Sequence, residues 1–103
     1  MYVLEFLPLA QRDMTEIVSY ISHFLHNPQA ARALADDFIA EAEKLVSFPY
    51  AMPVYAPIRP LKHEYRTVLV HNYLMFYTVN ESLKQITVFR VIHAKRDLGK
   101  LLD

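Results

Sequence analysis

Residues 10–46, AQRDMTEIVSYISHFLHNPQAARALADDFIAEAEKLV, decide the fold. In the first part the apolar side chains fall at Ala10, Met14, Ile17, Val18, Ile21, Phe24 and Leu25, the three-and-four spacing of one buried helical stripe. In the second they fall at Ala31, Leu34, Ala35, Phe38, Ile39, Ala42, Leu45 and Val46, again a single stripe. Between them Asn27-Pro28 stops one helix near His26 and starts the next. Asparagine caps a helix, and proline at the first helical position lacks only an N–H that has no partner there. Two helices joined by so little chain must fold back as an antiparallel hairpin.

Working outward, residues 2–6 are short, aromatic and β-branched and read as a strand, with Pro8 opening the first helix. Phe48-Pro49 closes the second helix. Pro49, Pro53, Pro57 and Pro60 then keep residues 49–61 from being helix or central strand, and with Tyr50 and Tyr55 the segment reads as a rigid, packed loop. Strands are expected over 65–70, 73–79 and 85–92, with turns at His71-Asn72 and Asn80-Glu81-Ser82. The middle strand is apolar on both faces, as if helices covered one side and something else the other. Residues 94–103 suggest a short tail helix, apolar at Leu98, Leu101 and Leu102. The order is β-αα-βββ plus a tail. This is an α+β architecture, a two-helix hairpin on one face of a small antiparallel sheet, forming one domain across 1–103.

A chain of 103 residues buries roughly two-thirds of its unfolded surface, enough for one core. The 53% apolar content excludes disorder. With no cysteine, disulfide scaffolds, thiolate metal sites and cysteine nucleophiles are excluded; a reducing, cytoplasmic setting is expected. There is no run of 18 apolar residues, so no membrane span is expected, and the first residues carry neither a basic region nor a cleavage site of a signal peptide. Gly99 is the single glycine, which excludes glycine-rich phosphate loops. The zero net charge hides a split: residues 1–57 carry −4 and residues 58–103 carry +4. Such segregation suits a face that meets a polyanion, and chance segregation in a short chain gives the same count.

The densest polar cluster is Arg90, His93, Lys95, Arg96 and Asp97, where the last strand runs out. Simple alternation puts Arg90 and Ile92 on one face, with Phe89, Val91 and His93 on the other. A second basic group, Arg59, Lys62, His63 and Arg66, enters the first strand of the meander, and in a regular meander both groups border one open surface. Cations there would stabilise charge developing on a phosphate while a histidine moved a proton, without metal or cofactor. The same residues also read as ordinary solvated charges at strand ends, with Asp97 paired to Lys95 or Arg96. His23 and His26 lie at i, i+3, but no carboxylate follows at a matching turn, so they read as complements to a helix C-terminus rather than metal ligands. Tyr73, Met75 and Tyr77 share one strand face and read first as packing, and the tyrosines second as base-stacking candidates.

Four features resemble the toxin superfamily of bacterial toxin–antitoxin pairs that contains the RelE messenger-RNA nucleases and the ParE gyrase poisons. They are the helix from Asp13 to Ile21, the Asn27-Pro28 restart with Ala30-Ala31, the Leu45…Phe48-Pro49 exit, and the pairing of Asn72-Tyr73-Leu74-Met75-Phe76-Tyr77 with Val91-Ile92-His93-Ala94-Lys95-Arg96-Asp97-Leu98. They span nearly the whole chain in the family's order. The resemblance implies a helical hairpin on an antiparallel sheet and a toxin that associates with a cognate antitoxin protein. One implied activity is a ribosome-dependent RNase acting on messenger RNA, with His93 as acid/base, Arg66, Lys95 and Arg96 on phosphate, and Arg59, Lys62, His63 and Arg90 contacting the target. A second is a non-enzymatic ParE-like inhibitor of DNA gyrase, the kind found among plasmid-stabilisation proteins. A third is a toxin without activity, kept as an antitoxin-binding protein. Leu74 stands where RelE-type nucleases place an arginine, and Leu101 and Leu102 stand where they place a tail tyrosine. Arg96 matches their tail arginine.

Overall fold

The computed structural model describes residues 1–57, 60–96 and 102. Strand β1 (Val3–Phe6) leads into helix α1 (Pro8–Ser19), opened by Pro8 in its first turn. The helix then widens into a π-turn over Tyr20–Phe24, where Leu25 N–H donates to the Tyr20 carbonyl at 3.2 Å. His26 reverses the chain with φ 52°, in the left-handed region. Asn27 then caps α2 (Pro28–Ser47), its Oδ1 accepting from Ala30 N–H at 3.1 Å, as the sequence predicts. Strands β2 (Arg66–Val70), β3 (Tyr73–Asn80) and β4 (Gln85–His93) follow as an antiparallel meander.

The sheet order is β1-β4-β3-β2. The first strand joins the meander beside β4 and parallel to it, Val3 opposite Gln85 and Phe6 opposite Val88, so the four-stranded sheet is mixed. A parallel partner needs a long crossover, and the helical hairpin supplies it.

Both faces of β3 are buried. On the helix side Met75 and Tyr77, with Val68, Ile86, Val88 and Val91, pack against Leu34, Phe38, Ala42 and Leu45. Ile17 and Ile21 pack partly buried against the same core. Burying one such side chain is worth about 1.5–3 kcal/mol, so this layer carries most of the stability. The Tyr77 hydroxyl donates to the Pro49 carbonyl at 2.9 Å, and burial pushes its ionisation upward. On the outer side Tyr65, Phe76, Ile92 and Leu102 form a second cluster, flanked by Tyr55, Leu61, Leu74 and Phe89. That cluster is the cover that the apolar middle strand requires. Ile39, placed on the buried stripe by its spacing, is instead exposed.

The proline-rich segment lies along the outer edge of β2. Val54 bridges to Arg66, Tyr55 N–H donates to the Tyr65 carbonyl at 2.7 Å, and Thr67 N–H donates to the Pro53 carbonyl at 3.3 Å. The expected tail helix falls on residues that lie largely outside the described ones. No described helix is long and apolar enough to cross a membrane.

Candidate functional site

A bulge decides where β4 points its side chains. Tyr77 pairs with Val88 and Phe76 with Arg90, which leaves Phe89 as the extra residue. Phe89 therefore packs on the outer face with Ile92, while Val88 and Val91 both face the helices. Simple alternation, which placed Phe89 with Val91, fails here because one inserted residue resets the period of two.

The bulge also swings Arg90 toward α1. Its Nε donates to Asp13 Oδ2 at 2.7 Å and its Nη2 to Asp13 Oδ1 at 3.0 Å, in a pair with side chains only 19% and 11% exposed. The Asp13 carboxylate holds the guanidinium more firmly protonated than usual. Arg90, a candidate target contact by sequence, is thus committed within the fold.

His93 ends β4 opposite Tyr73, with the two rings edge to face at 5.3 Å between centroids. Its Nδ1 accepts from Lys95 N–H at 3.1 Å, which assigns the neutral ring's proton to Nε2. Ala94 N–H donates to the Asn72 carbonyl and Arg96 N–H to the His93 carbonyl, so the chain turns tightly after the strand. A small cleft of about 120 Å³ between α1 and β4 is lined by Asp13, Glu16, Tyr73, Arg90, His93 and Arg96. Lys95 and Arg96 are exposed beside it.

Arg66 lies elsewhere. In a three-strand meander the first and third strands run the same way, so the start of β2 and the end of β4 are at opposite ends of the sheet. Arg66 is level with Tyr77, and His93 with Tyr73. Four residues along and two strands across put their backbones about 16 Å apart. Arg66 donates to the Met52 carbonyl at 2.6 Å and lies over the Tyr50 ring, 5.0 Å from its centroid. It lines a larger cleft of about 510 Å³ with His63, Glu64, Thr78, Thr87 and Phe89. The His63 ring meets Phe89 there at 5.0 Å and Tyr65 at 5.8 Å. At the rim, Glu81 accepts hydrogen bonds from Lys84, from the Tyr2 hydroxyl at 2.5 Å and from the Tyr50 hydroxyl at 2.6 Å. These donors hold its carboxyl down at about 2, and in return Tyr50 is pushed up to about 12.

The candidate residues therefore form two groups, His93 with Lys95 and Arg96 at one end, and His63 with Arg66 at the other. Lys62 is exposed near the second group in sequence, and Arg59 and Asp97 lie outside the described residues. Asp13 is not among the residues that sequence reasoning singles out for the site, and Tyr73 enters there only second to packing, as a base-stacking candidate. A signal existed for Asp13: it lies three residues after Ala10 and four before Ile17, so it sits on the buried stripe of α1, where an acid needs a partner. Among the described residues no three His, Asp or Glu side chains gather as a metal site.

Comparison with known proteins gives one family. The profile of the ParE toxin of the type II toxin–antitoxin system parDE matches residues 4–98. Among solved structures, the chromosomal ParDE toxin–antitoxin system from P. aeruginosa is similar at 18% identity and a TM-score of 0.69, covering 92% of this chain and 98% of that one. The RelBE2 toxin–antitoxin complex from Mycobacterium tuberculosis is similar at 19% identity and a TM-score of 0.60, covering 89% and 96%. A metal-bound toxin from Helicobacter pylori is similar at 14% identity and a TM-score of 0.62, covering 90% and 94%. At these identities the likeness to the solved structures is one of fold. No curated protein matches the chain significantly.

Proposed function

Since the chain belongs to the ParE toxin family of type II toxin–antitoxin systems, we propose that it arrests growth by binding DNA gyrase through the end of β4, without catalysing a reaction itself. One observation carries this reading: among the described residues, the cations that a shared-phosphate chemistry is expected to use do not all come together. Arg66 and His93 lie at opposite ends of the sheet, and the Arg90 guanidinium is held by Asp13. What remains at the β4 terminus is an exposed Lys95-Arg96 pair beside a fixed histidine, which is a contact surface of positive charge. The partner that restrains the toxin is an antitoxin, in keeping with the family and with the ParDE and RelBE complexes that share the fold.

A specific observation also favours the ribosome-dependent RNase as a second reading. His93 and Arg96 line one small cleft, so an acid/base and a cation do share a wall there. Purified chain added in parallel to a gyrase supercoiling assay and to a cell-free translation reaction separates the two. The gyrase reading expects blocked supercoiling with messenger RNA intact. Cleaved message with supercoiling untouched would replace it with the RNase reading, and neither effect would leave antitoxin binding as the chain's function.

A further inference from the structure

We infer that Asp13 is the positioning residue of the toxic surface: from α1 it holds the last residues of β4, and with them His93, Lys95 and Arg96. The inference rests on the reading that the β4 terminus is that surface. Strand β1 covers its side of β4 only as far as Val88, where Phe6 is paired and Leu7 N–H donates to the Val88 carbonyl at 3.0 Å. There the chain turns away into α1, just before the bulge at Phe89, so β4 loses its neighbouring strand where its own geometry is least regular.

Asp13 takes the place of that strand. Its Oδ2 accepts the Val91 backbone N–H at 2.9 Å as well as Arg90 Nε at 2.7 Å, and its Oδ1 accepts Arg90 Nη2 at 3.0 Å. One carboxylate thus closes an open edge amide and anchors the side chain beside it, 77 and 78 residues away in sequence. The contact is charge-assisted and sheltered, the strong kind of hydrogen bond. His93 lies two residues beyond Val91, and Asp13 lines the same small cleft as His93 and Arg96. Asp13 itself need touch no target; it sets the path of the strand that carries the groups that do.

The test uses the full chain as Asp13→Ala and Asp13→Asn, with the Lys95→Ala/Arg96→Ala double variant as reference. Amide hydrogen exchange is read by NMR at Val91 and, as an internal control, at Ile86 in the same strand. Toxicity is read as the inducer level that arrests growth. In Asp13→Ala, Val91 exchange is expected to quicken about tenfold or more with Ile86 unmoved, since only the local opening changes. The arresting inducer level is expected to rise about tenfold, the loss that goes with a charge-assisted hydrogen bond. Asp13→Asn keeps an oxygen for Val91 N–H but loses the charge, and is expected to fall between in both readouts. A residue that merely stabilised the fold would move Ile86 along with Val91. If Asp13→Ala does not fold, Asp13→Asn carries the test, and wild-type values in both readouts overturn the inference. Full toxicity in Asp13→Ala, with the double variant inactive, overturns it alone. Full toxicity in the double variant overturns the surface assignment, and this inference with it.

Discussion

Tyr73 and His93 stand opposite one another across β3 and β4, their rings edge to face with centroids 5.3 Å apart. Tyr73 also meets Phe38 of α2 edge-on at 6.0 Å. A row of three rings therefore runs from the core to the strand end that carries the candidate surface. Each such pair is worth about 0.5–1.5 kcal/mol beyond its burial. Tyr73→Phe keeps both ring contacts and is expected to match the parent chain in urea unfolding. Tyr73→Leu removes both and is expected to cost about 1–3 kcal/mol of unfolding free energy while the chain still folds. Equal stability in the two variants would mean that the row of rings does not hold the strand end.

The core gives a plainer expectation. Phe38 is almost wholly buried between α2 and the sheet, so Phe38→Ala is expected to cost about 3–5 kcal/mol. Urea unfolding at neutral pH measures it, and an unfolding free energy lowered by less than a third of that cost would contradict the packing described.

Glu81 ties acid stability to one cluster. Its carboxyl titrates at about 2 in the fold, against an ordinary value of 4.5, because Lys84, Tyr2 and Tyr50 donate to it. Between those values the unfolded chain holds the extra proton, so this contribution is whole above about pH 5 and is lost as pH falls toward 2. Glu81→Gln is expected to lower the unfolding midpoint at pH 7 and to match the parent chain at pH 2. Parallel midpoints across that range would rule the cluster out as the source.

Much of this fold was legible in the sequence, and the reasons are local. Asn27-Pro28 cannot sit inside a helix, and the residues around it alternate with helical period, so the hairpin could be read from a short window. The middle strand, apolar on both faces, likewise announced a cover on each side. What could not be read depends on residues far apart. The parallel seat of β1 against β4 is fixed by the hairpin's crossover, and no pattern within residues 2–6 names its partner. The bulge at Phe89 shows only once β3 and β4 are paired. The separation of Arg66 from His93 was available from strand direction alone, yet charge counting along the chain brings them together. The Asp13–Arg90 pair joins two ordinary-looking charges across the whole fold.

The gyrase reading makes a statement about proton transfer. A surface that only binds has no proton to move, so His93→Ala is expected to cost less than about threefold in toxicity, while the Lys95→Ala/Arg96→Ala variant loses most of it. A positioned acid or base supplies about 10²–10⁴-fold, so a loss of that order in His93→Ala alone would favour the RNase reading.

Antitoxin binding is open to a kinetic check. Residues 58–103 carry a net +4, so an acidic or mixed amphipathic segment is expected to be steered onto them. Raising the salt concentration is expected to slow association markedly and to change dissociation little. Association rates that do not respond to salt would count against electrostatic docking.

The bridge between Val54 and Arg66 has a bearing on how the molecule behaves in a concentrated solution. An open sheet margin is a template on which copies of a chain can stack into ribbons. Here the start of the β2 margin, at Arg66 and Thr67, is already occupied by Pro53 and Val54, and Pro53 has no N–H to offer a newcomer. On the far side the sheet ends in the four-residue β1, too short to propagate a ribbon by itself. In a protein so apolar, with no net charge to keep its copies apart, a stretch of chain that belongs to neither helix nor strand thereby blocks the start of an edge on which such stacking could begin.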